Sequence, residues 1–202
     1  MTGESRSFGT IRIVAGAKRG HRLKVPRSQD MRPTSELVRE AVFDVLGPVD
    51  GLRALDLFAG TGALGLEALS RGGASCVFVE RDPAIAEVLQ SNIAALGYLG
   101  SSRVIVADYQ RTLGHLAGAA SCFDLLFLDP PYRMLPDVEV VLGPLLPSLL
   151  SQDGVAVIEG PRALPASFGQ DVVFERAYGD TRITMIKIGR NASEDRALPG
   201  HV

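Results

Sequence analysis

The stretch Asp129-Pro130-Pro131-Tyr132 concentrates more chemistry than any other part of this 202-residue chain. It follows an apolar run, Phe123-Asp124-Leu125-Leu126-Phe127-Leu128, that reads as a buried strand. The two prolines fix the backbone and remove two N–H donors. Each also pushes the residue before it towards extended geometry. The result is a stiff loop at the carboxyl end of a strand, presenting one carboxylate, one or two backbone carbonyls and one aromatic face. Oxygens that accept from an amine, beside a ring that stacks, suit a flat group bearing an exocyclic NH2. Asp129, Pro130, Pro131 and Tyr132 are therefore the candidate catalytic residues. Taken alone, the same four residues also describe a proline-terminated strand with a surface tyrosine.

A second constellation lies upstream. Leu55-Asp56-Leu57-Phe58-Ala59-Gly60-Thr61-Gly62-Ala63-Leu64-Gly65 reads as a strand, a glycine-rich turn and a helix start. In open α/β sheets, that turn at the carboxyl ends of the strands is where nucleotides bind. Gly60, Gly62 and Gly65 spell G-x-G-x-x-G, and Glu80 ends the next strand, which by itself also fits a dinucleotide. Three features favour S-adenosylmethionine instead. Asp56 would repel a pyrophosphate and attract an ammonium or sulfonium. The chain ends in an antiparallel hairpin, not a second mononucleotide half. The strand bearing Asp-Pro-Pro-Tyr ends on the same rim. Candidate cofactor contacts are then Asp56, Phe58, Ala59, Gly60, Thr61 and Gly62 at the turn, Glu80 for both ribose hydroxyls, and Asp129 at the rim. Asp108 would accept from the adenine amine, with Arg81 and Tyr109 packed against the ring. Asp108 has a second reading, as the N-cap of the next helix.

The elements that must position these residues follow from periodicity. Thr10–Val14 and Arg22–Val25 flank Gly16-Ala17-Lys18-Arg19-Gly20 and predict a short hairpin with a basic tip. Pro33-Thr34-Ser35 opens a helix that Gly47-Pro48 stops. Strands are expected over Arg53–Leu57, Ser75–Glu80, Arg103–Ala107, Phe123–Asp129 and Gly154–Glu159. Helices are expected over Gly62–Arg71, Pro83–Leu96, part of Gln110–Ala119, and Asp137–Leu150. Strands alternating with helices imply a parallel sheet covered on both faces. Asp171–Tyr178 and Thr181–Ile188, joined by Gly179-Asp180, close the fold as an antiparallel hairpin. Residues 190–202 are polar.

Composition narrows the class. An apolar content of 46% supports one sizeable core. Charge is uneven: residues 1–40 carry nine Lys and Arg against four Asp and Glu, and the remainder twelve against nineteen, a balance of +5 on −7. A basic segment on an acidic body suggests a polyanion contact. Arg12, Lys18, Arg19, Arg22, Lys24, Arg27 and Arg32, with Arg39 on the following helix, are the candidate RNA-binding residues, unless the hairpin merely caps the sheet. Cys76 and Cys122 both sit in apolar runs and read as buried reduced thiols. His21, His115 and His201 lack metal-ligand spacing, so no metal is expected. No continuous membrane span or signal peptide is visible, and a cytoplasmic monomer is expected.

The combination of Asp56-Leu57-Phe58-Ala59-Gly60-Thr61-Gly62, Glu80 and Asp129-Pro130-Pro131-Tyr132 resembles class I methyltransferases that act on an amino group. More narrowly, the chain resembles the RsmD-type family over roughly residues 11–188. The diagnostic pieces are Arg12-Ile13-Val14-Ala15-Gly16 with Arg19-Gly20, Arg32-Pro33-Thr34 running into Val38-Arg39-Glu40, and Ala63 through Gly72. The family usually has Gly-Gly where Ala15-Gly16 stands. The resemblance implies a Rossmann-like α/β fold with a mostly parallel seven-stranded sheet and a small N-terminal hairpin. With the charge pattern, the expected organisation is a basic arm with the hairpin over 1–32, a methyltransferase domain over 33–190 and a flexible tail over 191–202, which has no counterpart in the family. The resemblance further implies S-adenosylmethionine as cofactor, and methylation of a guanine N2 in bacterial 16S rRNA or the small ribosomal subunit.

Rival readings are DNA adenine-N6 methylation, protein glutamine methylation, and a non-catalytic RNA-binding assembly factor. DNA enzymes of that kind usually carry a separate recognition domain, for which this chain has no room. The glutamine enzymes usually show Asn where Asp129 stands. A cytosine-C5 enzyme would need a nucleophilic cysteine near the rim, whereas Cys122 lies at the other end of its strand from Asp129.

Overall fold

The structure, a computed structural model, describes residues 8–26, 35–118 and 122–188. Two strands, β1 (Phe8–Arg12) and β2 (Arg22–Pro26), pair antiparallel as the expected hairpin. Then come α1 (Glu36–Leu46), β3 (Arg53–Asp56), α2 (Ala63–Ser70), β4 (Ser75–Glu80), α3 (Pro83–Leu96), β5 (Ser102–Val106) and α4 (Tyr109–Gly118). The chain continues through β6 (Phe123–Leu128), α5 (Leu135–Leu142), α6 (Leu146–Leu149), β7 (Leu150–Pro161), β8 (Asp171–Tyr178) and β9 (Thr181–Lys187).

Strands β3 to β9 form one seven-stranded sheet in the order β5-β4-β3-β6-β7-β9-β8. The first five run parallel, and β9 pairs antiparallel with both β7 and β8. The fold class expected from the alternation is therefore the one observed. Period-2 alternation explains how the strands serve two cores. Leu125 and Phe127 of β6 join the core under α1, α2 and α3. Leu126 and Leu128 join the core under α4, α5 and α6. Both faces are covered, so the strands are apolar almost throughout.

Helix ends follow their caps. Ser35 Oγ accepts from Val38 N–H at 3.2 Å and opens α1. Gly47 closes it. Asp82 Oδ1 accepts from Ala84 N–H at 2.8 Å, Pro83 takes the first helical position, and Gly97 ends α3. One helix differs from expectation. The predicted Asp137–Leu150 helix is broken into α5, a 3-10 turn over Gly143–Leu145 and the single-turn α6. Pro144 and Pro147 each remove an i→i−4 donor there. Leu150 then starts β7, four residues before the expected Gly154.

The hairpin is not a free arm. Ile13 and Leu23 are buried in the same core as Val38, Val42 and Phe43. Its connecting loop docks on the last turn of α2. Glu67, itself buried, accepts from Val14 N–H (2.8 Å) and Ala15 N–H (2.9 Å). Ser70 Oγ donates to the Ala15 carbonyl at 2.6 Å, and the Ser70 carbonyl accepts from Ala17 N–H at 2.7 Å. Gly16 has φ +81°, and a Cβ there would stand 1.8 Å from the Ser70 oxygen. The demanding position is thus Gly16, and Ala15 is accommodated. No helix among the described residues is long and apolar enough to cross a membrane.

Candidate active site

Parallel pairing brings the two motifs to one edge. β3 lies between β4 and β6, with Asp56 opposite Phe78 on one side and Phe127 on the other. Glu80 and Asp129 each lie two residues further on. They flank the glycine turn from strands two spacings apart, about 10 Å. The turn is stitched to both neighbours: Leu57 N–H donates to the Phe127 carbonyl (3.1 Å) and Ala59 N–H to the Val79 carbonyl (3.0 Å).

Glu80 is the best-defined acceptor. Its Oε2 takes Gly60 N–H at 2.9 Å and its Oε1 takes Asp82 N–H at 2.8 Å. A carboxylate oxygen accepts more than one bond, so both oxygens retain capacity. Burial pushes this carboxyl upward, and the backbone N–H groups of Asp82 and Gly60 oppose the shift. Gly62, at φ +89°, caps α2, and a Cβ there would meet Leu89 Cδ1 at 2.5 Å. Only glycine fits where the turn presses on α3.

Asp56, a candidate cofactor contact, is enclosed by the protein. Its side chain is buried under the turn, and Oδ2 accepts from Gly65 N–H at 3.0 Å. It braces the start of α2 and does not face the open rim. Desolvation raises its pKa to about 7, with Glu80 adding to the shift and the Gly65 bond opposing it. Ala59, Thr61 and Gly62 are likewise buried, whereas Phe58 and Gly60 are partly exposed. Tyr109 is also buried, its ring 5.1 Å from that of Phe58. Arg81 is exposed. Asp108 is exposed and caps α4 through Gln110 N–H at 2.9 Å, the alternative role noted for it. A cleft of about 370 Å³ between the end of β5 and α5 is lined by Asp108, Tyr109, Met134 and Val140, among others.

At the rim, Asp129 is half-buried, Pro130 buried and Pro131 exposed. The Pro131 carbonyl accepts from Met134 N–H at 2.7 Å, closing a 3-10 turn over Tyr132–Met134. Tyr132 keeps 38% of its surface exposed, and its hydroxyl lies 2.7 Å from Thr181 Oγ1.

The cationic residues fall into different places. Arg12, Arg22 and Lys24 are exposed on the outer face of the hairpin, with Arg12 directly opposite Arg22. Like charges directly opposite one another destabilise a strand pair. Arg12 is partly offset by Glu36 at 3.4 Å. Arg19 is exposed at the tip, and the Lys18 ammonium sits 5.9 Å from the Tyr98 ring centre. Arg39 was expected to face RNA and does not. It is fully buried and donates to the Arg12 carbonyl, so it braces the hairpin from within. Arg27 and Arg32 lie outside the described residues. Cys76 is buried as expected, but Cys122 is exposed, because it precedes β6 and lies outside the core.

Sequence reasoning gave no role to Glu67, Ser70 or Asn92. Asn92 of α3 is 2% exposed. Its carbonyl accepts from Lys24 N–H (2.9 Å), and its NH2 donates to the carbonyls of Lys24 (3.1 Å) and Thr61 (3.0 Å). One amide thus ties the hairpin to the glycine turn. The available signal was a polar residue on the otherwise apolar face of α3.

The family model described as "Conserved hypothetical protein 95" matches residues 11–187. The Bacillus subtilis (strain 168) protein named "Putative rRNA methyltransferase YlbH" is 38% identical over 187 residues, covering 88% of this chain and 98% of that one. "Ribosomal RNA small subunit methyltransferase D" of Escherichia coli (strain K12) is 43% identical over 126 residues, 62% of each chain. The solved structure "Putative methyltransferase yhhF from Escherichia coli" superposes with a TM-score of 0.77 at 30% identity, covering 90% of this chain and all of that one. With its glycine turn and proline-stiffened rim on one edge of the sheet, the chain belongs to this family, the RsmD-type methyltransferases.

Proposed function

We propose that this protein transfers a methyl group from S-adenosylmethionine to the exocyclic N2 of a guanine in small-subunit ribosomal RNA. The observation that carries this reading is the shared edge: the Glu80–Gly60 bond and the Asp129–Tyr132 loop flank one strand end. Glu80 retains acceptor capacity for both ribose hydroxyls, and Gly60 has open space at its α-carbon. The donor fits these residues and supplies an electrophilic methyl carried on a sulfonium. Asp108 and the cleft beside it receive the adenine.

The chain's own residues act on the target base. A flipped guanine stacks on Tyr132. Asp129 and the Pro130 carbonyl accept from N2, since the Pro131 carbonyl is taken by Met134. These bonds turn the nitrogen lone pair, otherwise delocalised into the ring, towards the methyl. Positioning and electrostatics would then carry the transfer, in which the N–C bond forms as the C–S bond breaks and the sulfur leaves as a neutral thioether. The proton lost from N2 goes to the Asp129 carboxylate or to water. No covalent intermediate is required, and Cys122 lies at the opposite end of β6 from Asp129. The exposed cations Arg12, Arg22 and Lys24 supply phosphate contacts, and an RNA backbone relieves the Arg12–Arg22 repulsion.

The test is incubation with labelled S-adenosylmethionine and, separately, small subunits, naked ribosomal RNA and DNA, followed by nucleoside analysis. N2-methylguanosine from an RNA substrate is expected. Label in adenine of DNA, or in protein only, would replace this reading with a rival. Asp129→Ala should lower turnover by at least 100-fold, with S-adenosylmethionine affinity changed less than threefold, consistent with the usual size of a positioned acid–base group. Near-normal turnover by this variant would remove Asp129 from the mechanism.

A further inference from the structure

The end of the chain builds a feature that neither motif requires. β7 is parallel to β6, so its carboxyl end comes to the same edge as Asp129. β9 runs antiparallel to β7, with Pro161 opposite Thr181. The start of β9, the end of β8 and the Gly179-Asp180 turn therefore all reach the catalytic edge. Thr181 meets the Tyr132 hydroxyl there at 2.7 Å.

Arg162 follows Pro161 and is clamped in place. Its N–H donates to the Asp180 carbonyl at 2.8 Å. Its carbonyl accepts Arg182 Nε and Nη2 at 2.9 and 2.7 Å. Three bonds thus fix its backbone, yet its side chain is exposed. The guanidinium makes one long contact, Nη1 to the Gly179 carbonyl at 3.4 Å, and among the described residues no salt bridge takes it. Most of its five donors stay available to an anion. Arg182 is neutralised by Glu175 at 2.7 Å. Arg162 thus stands exposed beside the Asp180 turn, on the part of the chain whose balance is −7.

We infer that the tip of the β8–β9 hairpin is a second wall of the substrate site, in which Thr181 holds the Tyr132 ring and Arg162 takes a phosphate of the RNA. The inference rests on the reading of Tyr132 as the platform for the target base. A ring tethered at its hydroxyl keeps one orientation, so the base meets a platform already in place. Arg162 then anchors the strand next to the extruded nucleotide, on the side of the site away from the N-terminal hairpin.

Methylation kinetics and salt-dependent RNA binding of the full chain test both parts. Thr181→Val keeps shape and loses the hydroxyl. It should raise the KM for RNA by about three- to tenfold, the usual worth of one hydrogen bond, with S-adenosylmethionine affinity unchanged. Thr181→Ser should restore the KM. Tyr132→Phe should match Thr181→Val, and the double variant should be no worse than either, since both remove one bond. Arg162→Ala leaves the backbone clamp intact. It should flatten the slope of log affinity against log salt by about one. A wild-type KM for Thr181→Val, or additive losses in the double variant, would remove Thr181 from the wall. An unchanged salt slope for Arg162→Ala would remove Arg162. A wild-type protein that transfers no methyl to ribosomal RNA would overturn the functional reading itself, an outcome distinct from either.

Discussion

Asp56 shows how the surroundings of one carboxyl depend on the fold. Its type and place beside the glycines announce a charge, yet its Oδ2 accepts from Gly65 N–H inside the protein. The shift has a consequence for stability. The unfolded carboxyl titrates near 3.8 and the folded one near 7. Between those values the folded state holds the extra proton, so stability is present below about 4 and declines as pH rises to about 7. Asp56→Asn retains an acceptor for Gly65 but cannot ionise. Its melting temperature should fall less than that of the wild type from pH 4 to 7, measured by calorimetry. Parallel curves would show that Asp56 does not carry the proton. Glu80, also raised by burial, contributes in the same direction in both proteins.

The hairpin and α2 illustrate the same logic for whole elements. Along β2, Leu23 and Val25 turn inward while Arg22 and Lys24 turn outward. The hairpin pattern in the sequence does not name the surface against which they pack. That surface is α2, through Glu67 and Ser70, and α3, through Asn92. Gly16→Ala places a methyl group on the Ser70 carbonyl at a backbone angle that disfavours side chains. The loop must lift, and the Ala17–Ser70 bond breaks at a cost of about 1–3 kcal/mol. Amide exchange at Ala17 and Lys18 should accelerate by at least tenfold while β6 stays protected. Unchanged protection would mean that the loop accommodates the methyl without moving. Asn92→Ala strands two backbone carbonyls and an N–H in the interior. It should destabilise by about 3 kcal/mol, a fall of on the order of 10 °C in melting temperature for a chain of this size. A fall of only a few degrees would mean that water replaces the amide.

Across the whole molecule, direction matters as much as composition. Helices α2 and α3 each start at the carboxyl edge of the sheet and end at the amino edge. The hairpin tip contacts Ser70 and Tyr98, both at those far ends. Lys18 and Arg19 therefore sit at the edge away from Asp129, and Lys24, tied through Asn92 to Thr61, sits nearer the rim. Lys18 lies in the turn and Lys24 within β2, so the two stand at different heights along the hairpin. Replacing Arg22 and Lys24 by Ala should weaken RNA binding and flatten its salt slope by about 1.5, at roughly 0.7–0.9 per phosphate contact. Replacing Lys18 and Arg19 should do less than half as much. Equal effects in filter binding would mean that the RNA runs the full length of the hairpin.

The sequence alone determined the order of strands and helices, the capped ends of α3, the two motifs and their common rim, because period, caps and proline chemistry are local properties. Tertiary structure decided what each polar group faces. Arg39 reads as a surface cation and is fully buried; Cys122 reads as buried and is exposed. Thr181 acquires its neighbour Tyr132, 49 residues away, only because β9 returns antiparallel beside β7. Burial and partner choice depend on which distant surfaces meet, and no spacing along the chain encodes that.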